Sequence, residues 1–286
     1  MVLFGPSGCG DEFYSQGHKS ILEVPKWIKD YGLDAYEYSF GHGYQMSSFL
    51  ATQAGKLFAD ENIKVSLHAP FYINFANPSE EMYDKTKGYI FTGIKFMKAF
   101  GADHFVFHSA SCGKLSRDEA LSLTRERFLE LFPMIESEHL LDEGQYLCPE
   151  TMGKTMQIGT YKEVVDLCTI SNILVPTFDF GHINSIEQGS LKTKEDFKRI
   201  IDYSIEKLGF DKTNNCHIHF SKIQYGAKGE IRHLNFDDTI YGPEFDGLAE
   251  VLIDYKLSPR IICESMTNMP KDALTMKKIY KKMLDK

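Results

Sequence analysis

The sequence predicts an α/β protein of the (β/α)8 barrel type, a TIM barrel, built as one domain over residues 1–286. Three observations lead there. Eight short runs rich in β-branched and aromatic residues recur along the whole chain, each is followed by a stretch with helical marks, and no linker or composition shift interrupts the alternation. Eight is the strand count that closes a barrel filled by its own side chains.

In chain order the runs are residues 2–4 (VLF), 34–40 (DAYEYSF), 63–69 (IKVSLHA), 103–109 (DHFVFHS), 145–151 (QYLCPET), 174–180 (LVPTFDF), 216–222 (CHIHFSK) and 260–265 (RIICES). Between the first two, Leu22, Val24, Trp27 and Ile28 around Pro25 mark a helix. Ser116 followed by Glu119, ahead of an apolar-periodic segment, has the form of a capping box. Thr193-Lys194-Glu195-Asp196 opens another helix, with Phe197, Ile200, Ile201 and Ile205 at helical spacing.

The chain is 43% hydrophobic, enough for one sizeable core, and with 25% charged residues and no low-complexity tract it reads as globular. No apolar run approaches the roughly 20 residues a membrane helix needs, and the opening MVLFGPSGCGDEF lacks a basic segment followed by an apolar one. A cytoplasmic protein with no membrane partner is expected. Cys9, Cys112, Cys148, Cys168, Cys216 and Cys263 are scattered without a CxxC pair, so reduced, buried thiols are expected rather than a disulfide framework. The net charge of −8 argues against wholesale coating of nucleic acid but leaves room for a local basic patch.

In such a barrel the chemistry gathers at the carboxyl ends of the strands, where loops from separate units meet over one mouth. His68, His108, His182, His217 and His219 fall at or just beyond a strand end, and His233 lies in the loop after the seventh strand. Glu150, Asp179 and Glu264 end the fifth, sixth and eighth strands. One histidine alone is more often a satisfied core or surface group, so the convergence carries the weight. Buried carboxylates must be paired, hydrogen-bonded or metal-bound, and no lysine or arginine lies in the inward half of these strands to make an ion-pair network. Mixed imidazole and carboxylate ligands suit Zn²⁺, Mn²⁺ or Fe²⁺. One zinc takes about four ligands including water, so this many candidates imply more than one ion.

The motifs then carry a family resemblance over nearly the whole chain. His68-Ala69-Pro70-Phe71-Tyr72-Ile73-Asn74, His108-Ser109, Pro149-Glu150-Thr151, Asp179-Phe180-Gly181-His182, His217-Ile218-His219-Phe220-Ser221-Lys222 and Cys263-Glu264-Ser265 occur in the order seen in the endonuclease IV family of apurinic/apyrimidinic endonucleases. That family is related to the xylose-isomerase-like barrels, and this chain resembles it. The resemblance implies a trinuclear zinc site: His68, His108 and Glu150 on the first ion, Glu150, Asp179, His217 and Glu264 on the second, His182 and His233 with a carboxylate on the third. The family's D-R-H stands here as Glu230-Ile231-Arg232-His233, so Glu230 is the expected carboxylate. His219 stands where the family usually has an amide; on an extended strand it faces the same way as His217, as a replacement ligand or an outer support.

The resemblance also implies hydrolysis of DNA at abasic sites by a metal-bound hydroxide, with Glu150 and Glu264 as catalytic residues orienting it. Tyr72, Lys222 and Arg232 are expected to bind substrate, and Lys114, Arg117, Lys154 and Lys228 share the active face. The loop after the second strand, Gly41-His42-Gly43-Tyr44-Gln45-Met46, offers Tyr44 and Gln45 as a wedge but no arginine. The rival expectation is a sugar isomerase or epimerase of the related barrel type, acting on a small sugar or sugar phosphate with one Mn²⁺-like ion on Glu150, Asp179, His217 and Glu264. His68, His108 and His233 separate the two, because a mononuclear site has no need of them as ligands. A third reading is a noncatalytic or degenerate barrel that keeps a metal for stability or binds a nucleotide or sugar phosphate.

Overall fold

The computed structural model describes residues 1–285. All eight expected strands form, as β1 (Leu3–Pro6), β2 (Ala35–Ser39), β3 (Lys64–His68), β4 (His104–Phe107), β5 (Tyr146–Pro149), β6 (Thr177–Asp179), β7 (His217–Phe220) and β8 (Arg260–Cys263). Every pairing among them is parallel: β2-β3-β4-β5 on one side, β1-β8-β7-β6 on the other. Single bridges join the halves, Ser7 to Glu37 at one seam and Leu147 to Leu174 with Glu150 to Thr177 at the other, so the sheet closes. Gly5 makes the first seam possible: a Cβ there would lie 2.0 Å from the Ala35 carbonyl oxygen of β2.

Parallel neighbours need crossovers, and helices supply them on the outside. The capping box at Ser116 and Glu119 starts Arg117–Ser137, and that at Thr193 and Asp196 starts Lys194–Leu208. The latter buries Phe197, Ile200 and Ile201, as their spacing predicts. Val24–Asp30 buries Val24, Trp27 and Ile28. One core cluster runs between sheet and helices, and all six cysteines are buried and unpaired. Among the described residues no helix is long and apolar enough to cross a membrane.

The seventh run departs from its expected length. β7 ends at Phe220, and the chain turns into an antiparallel hairpin, Lys222–Gly226 against Gly229–Leu234, that leans over the mouth. The Glu230 N–H donates to the Gly153 carbonyl at 2.7 Å, tying the hairpin to the loop after β5. Gly153 permits this approach, since a Cβ there would lie 2.8 Å from both the Glu230 Cβ and the His182 ring.

Candidate metal centre

The strand ends surround a cavity of about 500 Å³ lined in part by His68, His108, Glu150, His182, Glu230, His233 and Glu264. Glu150 lies at its centre. One carboxylate oxygen, Oε2, is 3.2 Å from His68 Nε2 and 3.1 Å from His108 Nε2, while Oε1 is 2.9 Å from His219 Nδ1. These contacts join two groups of potential ligands, His68/His108/Glu150 and Glu150/Asp179/His219/Glu264, each within 4.8 Å. A third group, His182/Glu230/His233, is equally close, and a fourth, Glu37/His217/His219, lies beneath them inside the barrel.

Local structure explains each placement. His68 ends β3 and Asp179 ends β6, where side chains point into the mouth. Asp179 also caps the helix Phe180–Ile186: its Oδ1 accepts the His182 N–H at 2.7 Å. That cap fixes His182 one turn along, on the same side as the cap carboxylate, which is the structural content of the D-x-x-H spacing. Asp179 Oδ2 is left buried without a hydrogen-bond partner, although His182 Nδ1 is 3.3 Å away. An orphaned buried carboxylate oxygen of this kind is what a cation satisfies.

Three of the imidazoles are anchored through Nδ1, with Nε2 turned toward the carboxylates of the cavity. His68 Nδ1 donates to the Ala69 carbonyl at 2.9 Å, and His182 Nδ1 donates to that of Thr151 at 2.9 Å. A carbonyl only accepts, so both rings carry the proton on Nδ1 and turn Nε2 to the cavity. His233 Nδ1 bonds Ser221 Oγ at 2.8 Å, which leaves its Nε2 3.9 Å from Glu230 Oε1.

Electrostatics point the same way. Burial raises Glu150, but the imidazoles of His219, His108 and His68 outweigh it and hold the carboxyl well below the usual range. Burial lowers His68, and Glu150 outweighs it, lifting the imidazole to about 9. Burial raises Asp179 to about 6 despite the lowering charge of His182. Among the described residues the lysine near these carboxylates is Lys154, half-exposed and 3.9 Å from Glu230 Oε2. The carboxylates are thus answered mainly by imidazoles, and the donor set fits divalent cations of the imidazole-and-carboxylate kind.

Two positions differ from the sequence expectation. His217 does not join Glu150, Asp179 and Glu264; His219 does. The sheet register gives the reason: Asp179 at the end of β6 pairs with His219, whereas His217 pairs with Thr177, two residues lower. At about 3.3 Å per residue His217 falls a full layer beneath the mouth, where its Nε2 bonds Glu37 Oε2 at 2.9 Å. Sequence reasoning also misses Glu37, fully buried inside the barrel; no motif flags it, and only its inward alternation with Tyr36 and Tyr38 hints at it.

The expected substrate contacts shift as well. Lys222 is buried, its Nζ tied to Glu244 Oε1 at 2.6 Å and to the Asp238 carbonyl at 2.8 Å. Arg232 lies on the outer side of the hairpin, bonded to Gln224. Tyr72 is half-exposed and packs near Tyr89, while its neighbour Phe71 lines the cavity. Arg117 is committed to Glu163 and to two carbonyls. Tyr44 is no wedge: its hydroxyl donates to the Tyr89 carbonyl and its ring stacks on Phe96.

Comparison with known proteins places these features in a family. A family model described as Xylose isomerase-like TIM barrel matches residues 25–282. An uncharacterized protein of Methanocaldococcus jannaschii is 29% identical over 99% of this chain and 98% of its own length. A probable endonuclease 4 of Aquifex aeolicus is 24% identical over 85% of each chain. Among solved structures, a D-tagatose 3-epimerase-like protein superposes with a TM-score of 0.70 at 20% identity, covering 91% of this chain and 92% of that one. Endonuclease IV from Thermus thermophilus superposes with 0.65 at 14%, covering 99% and 98%. At these identities the structures establish the fold alone, and both kinds of neighbour share it. The chain belongs to the xylose isomerase-like TIM barrel family.

Proposed function

We propose that the protein is a multinuclear, divalent-metal-dependent phosphodiesterase of the endonuclease IV type, cytoplasmic and hydrolysing DNA at abasic sites. One observation carries the reading: three ligand groups meet at one mouth, two of them sharing Glu150. A mononuclear site would need Glu150, Asp179, His219 and Glu264 and would leave His68, His108, His182, Glu230 and His233 without a purpose.

In this reading His68, His108 and Glu150 hold one ion, Glu150, Asp179, His219 and Glu264 a second, and His182, Glu230 and His233 a third. Zinc is the proposed metal. Bound cations would supply Lewis-acid polarisation of a phosphoryl oxygen and activation of water near neutral pH. The protein's part is geometric and electrostatic. Glu150 and Glu264 orient the attacking water and accept its hydrogen bonds, Lys154 at the rim faces the phosphate, and Phe71 offers an apolar surface to the sugar or base beside it.

One observation favours a second reading, a sugar epimerase. The quartet Glu150, Asp179, His219 and Glu264 is by itself a complete mononuclear site, beside a cavity of about 500 Å³ that would take a small sugar. Metal counting on zinc-loaded protein, run with cleavage of an abasic-site duplex and with epimerisation of a ketose, separates the two. Two or three ions per chain with strand cleavage is the expected result. One ion with ketose turnover would replace the phosphodiesterase with the epimerase.

A further inference from the structure

The cavity-facing rings of His68, His182 and His233 have their Nδ1 anchored by a carbonyl or a hydroxyl, so that Nε2 faces the cavity. His219 is turned the other way. Its Nδ1 faces the cavity, 2.9 Å from Glu150 Oε1 and 3.4 Å from Glu264 Oε2. Its Nε2 points down into the barrel, where Glu37 Oε1 lies 3.0 Å away. That N–H is not aligned for a straight hydrogen bond, and Nε2 has no other partner.

Glu37 is fixed from the remaining sides. Its Oε2 accepts from Ser66 Oγ at 2.9 Å and from His217 Nε2 at 2.9 Å, and Ser7 Oγ reaches Oε1 at 3.5 Å. Glu37, His217, His219 and Ser66 are all fully buried. A carboxylate in this setting accepts and does not donate, so without a cation both His219 nitrogens, each facing a carboxylate, carry a proton; a cation among Nδ1, Glu150 and Glu264 would take the place of the Nδ1 proton, and the one on Nε2 facing Glu37 would stay. Metal-ligating histidines commonly give their far N–H to such a carboxylate, which fixes the ring and raises its basicity as a ligand.

We infer that Glu37 is a positioning residue that holds His219 as the Nε2–H tautomer, so that its Nδ1 is the ligand in the Glu150/Asp179/Glu264 group, and that His217 and Ser66 hold Glu37 for that purpose. The inference rests on the metal-centre reading given above. It gives His217 a supporting role in place of direct ligation with Glu37 and His219, and it makes the two histidines of β7 successive links of one chain.

The experiment uses the full-length protein with Zn²⁺ as the probe. Competition against a chromophoric chelator should show that Glu37→Gln weakens one bound zinc by about 10–100-fold and leaves the others at wild-type affinity. A merely structural role would loosen all of them together. In parallel, long-range ¹⁵N–¹H correlation spectra of ¹⁵N-histidine-labelled wild-type protein loaded with zinc should show His219, assigned by its loss in His219→Gln, protonated at Nε2 only. This second measurement stands even if Glu37→Gln fails to fold. An Nδ1–H tautomer, or unchanged zinc affinity in a folded Glu37→Gln, overturns the inference and leaves the metal centre standing. A wild-type protein that binds no zinc overturns the metal-centre reading itself.

Discussion

The two ends of this barrel use the same kinds of side chain to opposite ends. At the amino-terminal end, Asp103 and His104 at the start of β4 meet Arg260 at the start of β8. Arg260 Nη2 lies 2.6 and 2.8 Å from the two Asp103 oxygens, and His104 Nδ1 lies 2.8 Å from one of them. The chain supplies its own fixed cation there, so the cluster is closed in charge, although two guanidinium nitrogens are left without a partner. At the mouth Glu150, Asp179, Glu230 and Glu264 converge with imidazoles that carry charge only when protonated, and one Asp179 oxygen has no partner. A closed cluster stabilises the fold, whereas an open one recruits something from solvent.

The sharpest way to break this contrast is at the mouth. Glu150 touches three imidazoles and belongs to two of the ligand groups. Glu150→Gln should remove one or more bound ions, counted by elemental analysis, and lower phosphodiester cleavage on the order of 10³-fold. Full metal content and full rate in that variant would show that the mouth does not depend on its central carboxylate.

The next effect belongs to the other end. Burial raises Asp103, and the guanidinium of Arg260 with the imidazole of His104 outweighs it, so the carboxyl is held far below its ordinary value. Arg260 is buried, and its Nε and Nη1 have no partner. Asp103→Asn therefore strands a buried cation and should cost about 3 kcal/mol or more, read as a fall in melting temperature of roughly 6–12 °C, with metal content per folded chain unchanged. Because the folded carboxyl is the lowered one, its stabilisation is complete at neutral pH and is lost only as the pH falls below about 4. A loss of metal in Asp103→Asn would mean that the two ends are not separate.

This division was only partly legible in the sequence. The barrel was, because eight apolar runs alternating with capped helices admit few other closures. The members of the outer clusters were too: Asp179 and His182 announce themselves through cap spacing, and His68, Glu150 and Glu264 through strand ends. The choice between His217 and His219 was not, because both lie on one face of one strand, and the H-x-x-x-S-K spacing counts back from a lysine that proves to be buried on Glu244. Height in a barrel is set by register against the neighbouring strand, and Asp179 opposite His219 decides it. Glu37 was silent for a related reason. One acid in Ala-Tyr-Glu-Tyr-Ser carries no motif, and its partners come from β3 and β7, 29 and 180 residues away. Phe71 and Tyr72 differ by a single residue, and the turn after β3 settles which one faces the cavity.

The smallest effect distinguishes the ends by the sign of a pH dependence. His68 and His182 both rise from 6.5 to about 9; burial lowers each, and the carboxylates outweigh it, Glu150 for the first and Asp179 then Glu150 for the second. A raised folded pKa gives stability that is complete below the unfolded value and is lost as the pH climbs through the folded one. The contribution of these two groups thus makes the metal-free protein melt lower at pH 8.5 than at pH 6.5, offset in part by His217, whose lowered imidazole contributes with the opposite sign. Ligation requires the same imidazoles without that proton, so cations compete with protons and bind more tightly as the pH rises. The gap in melting temperature between zinc-loaded and chelator-treated protein should widen across this interval, while the Asp103 carboxylate, held far below its ordinary value, contributes nothing to the change. Parallel melting curves with and without zinc would mean that protons and cations do not share these nitrogens, and the mouth would then be a closed cluster like the one beneath it.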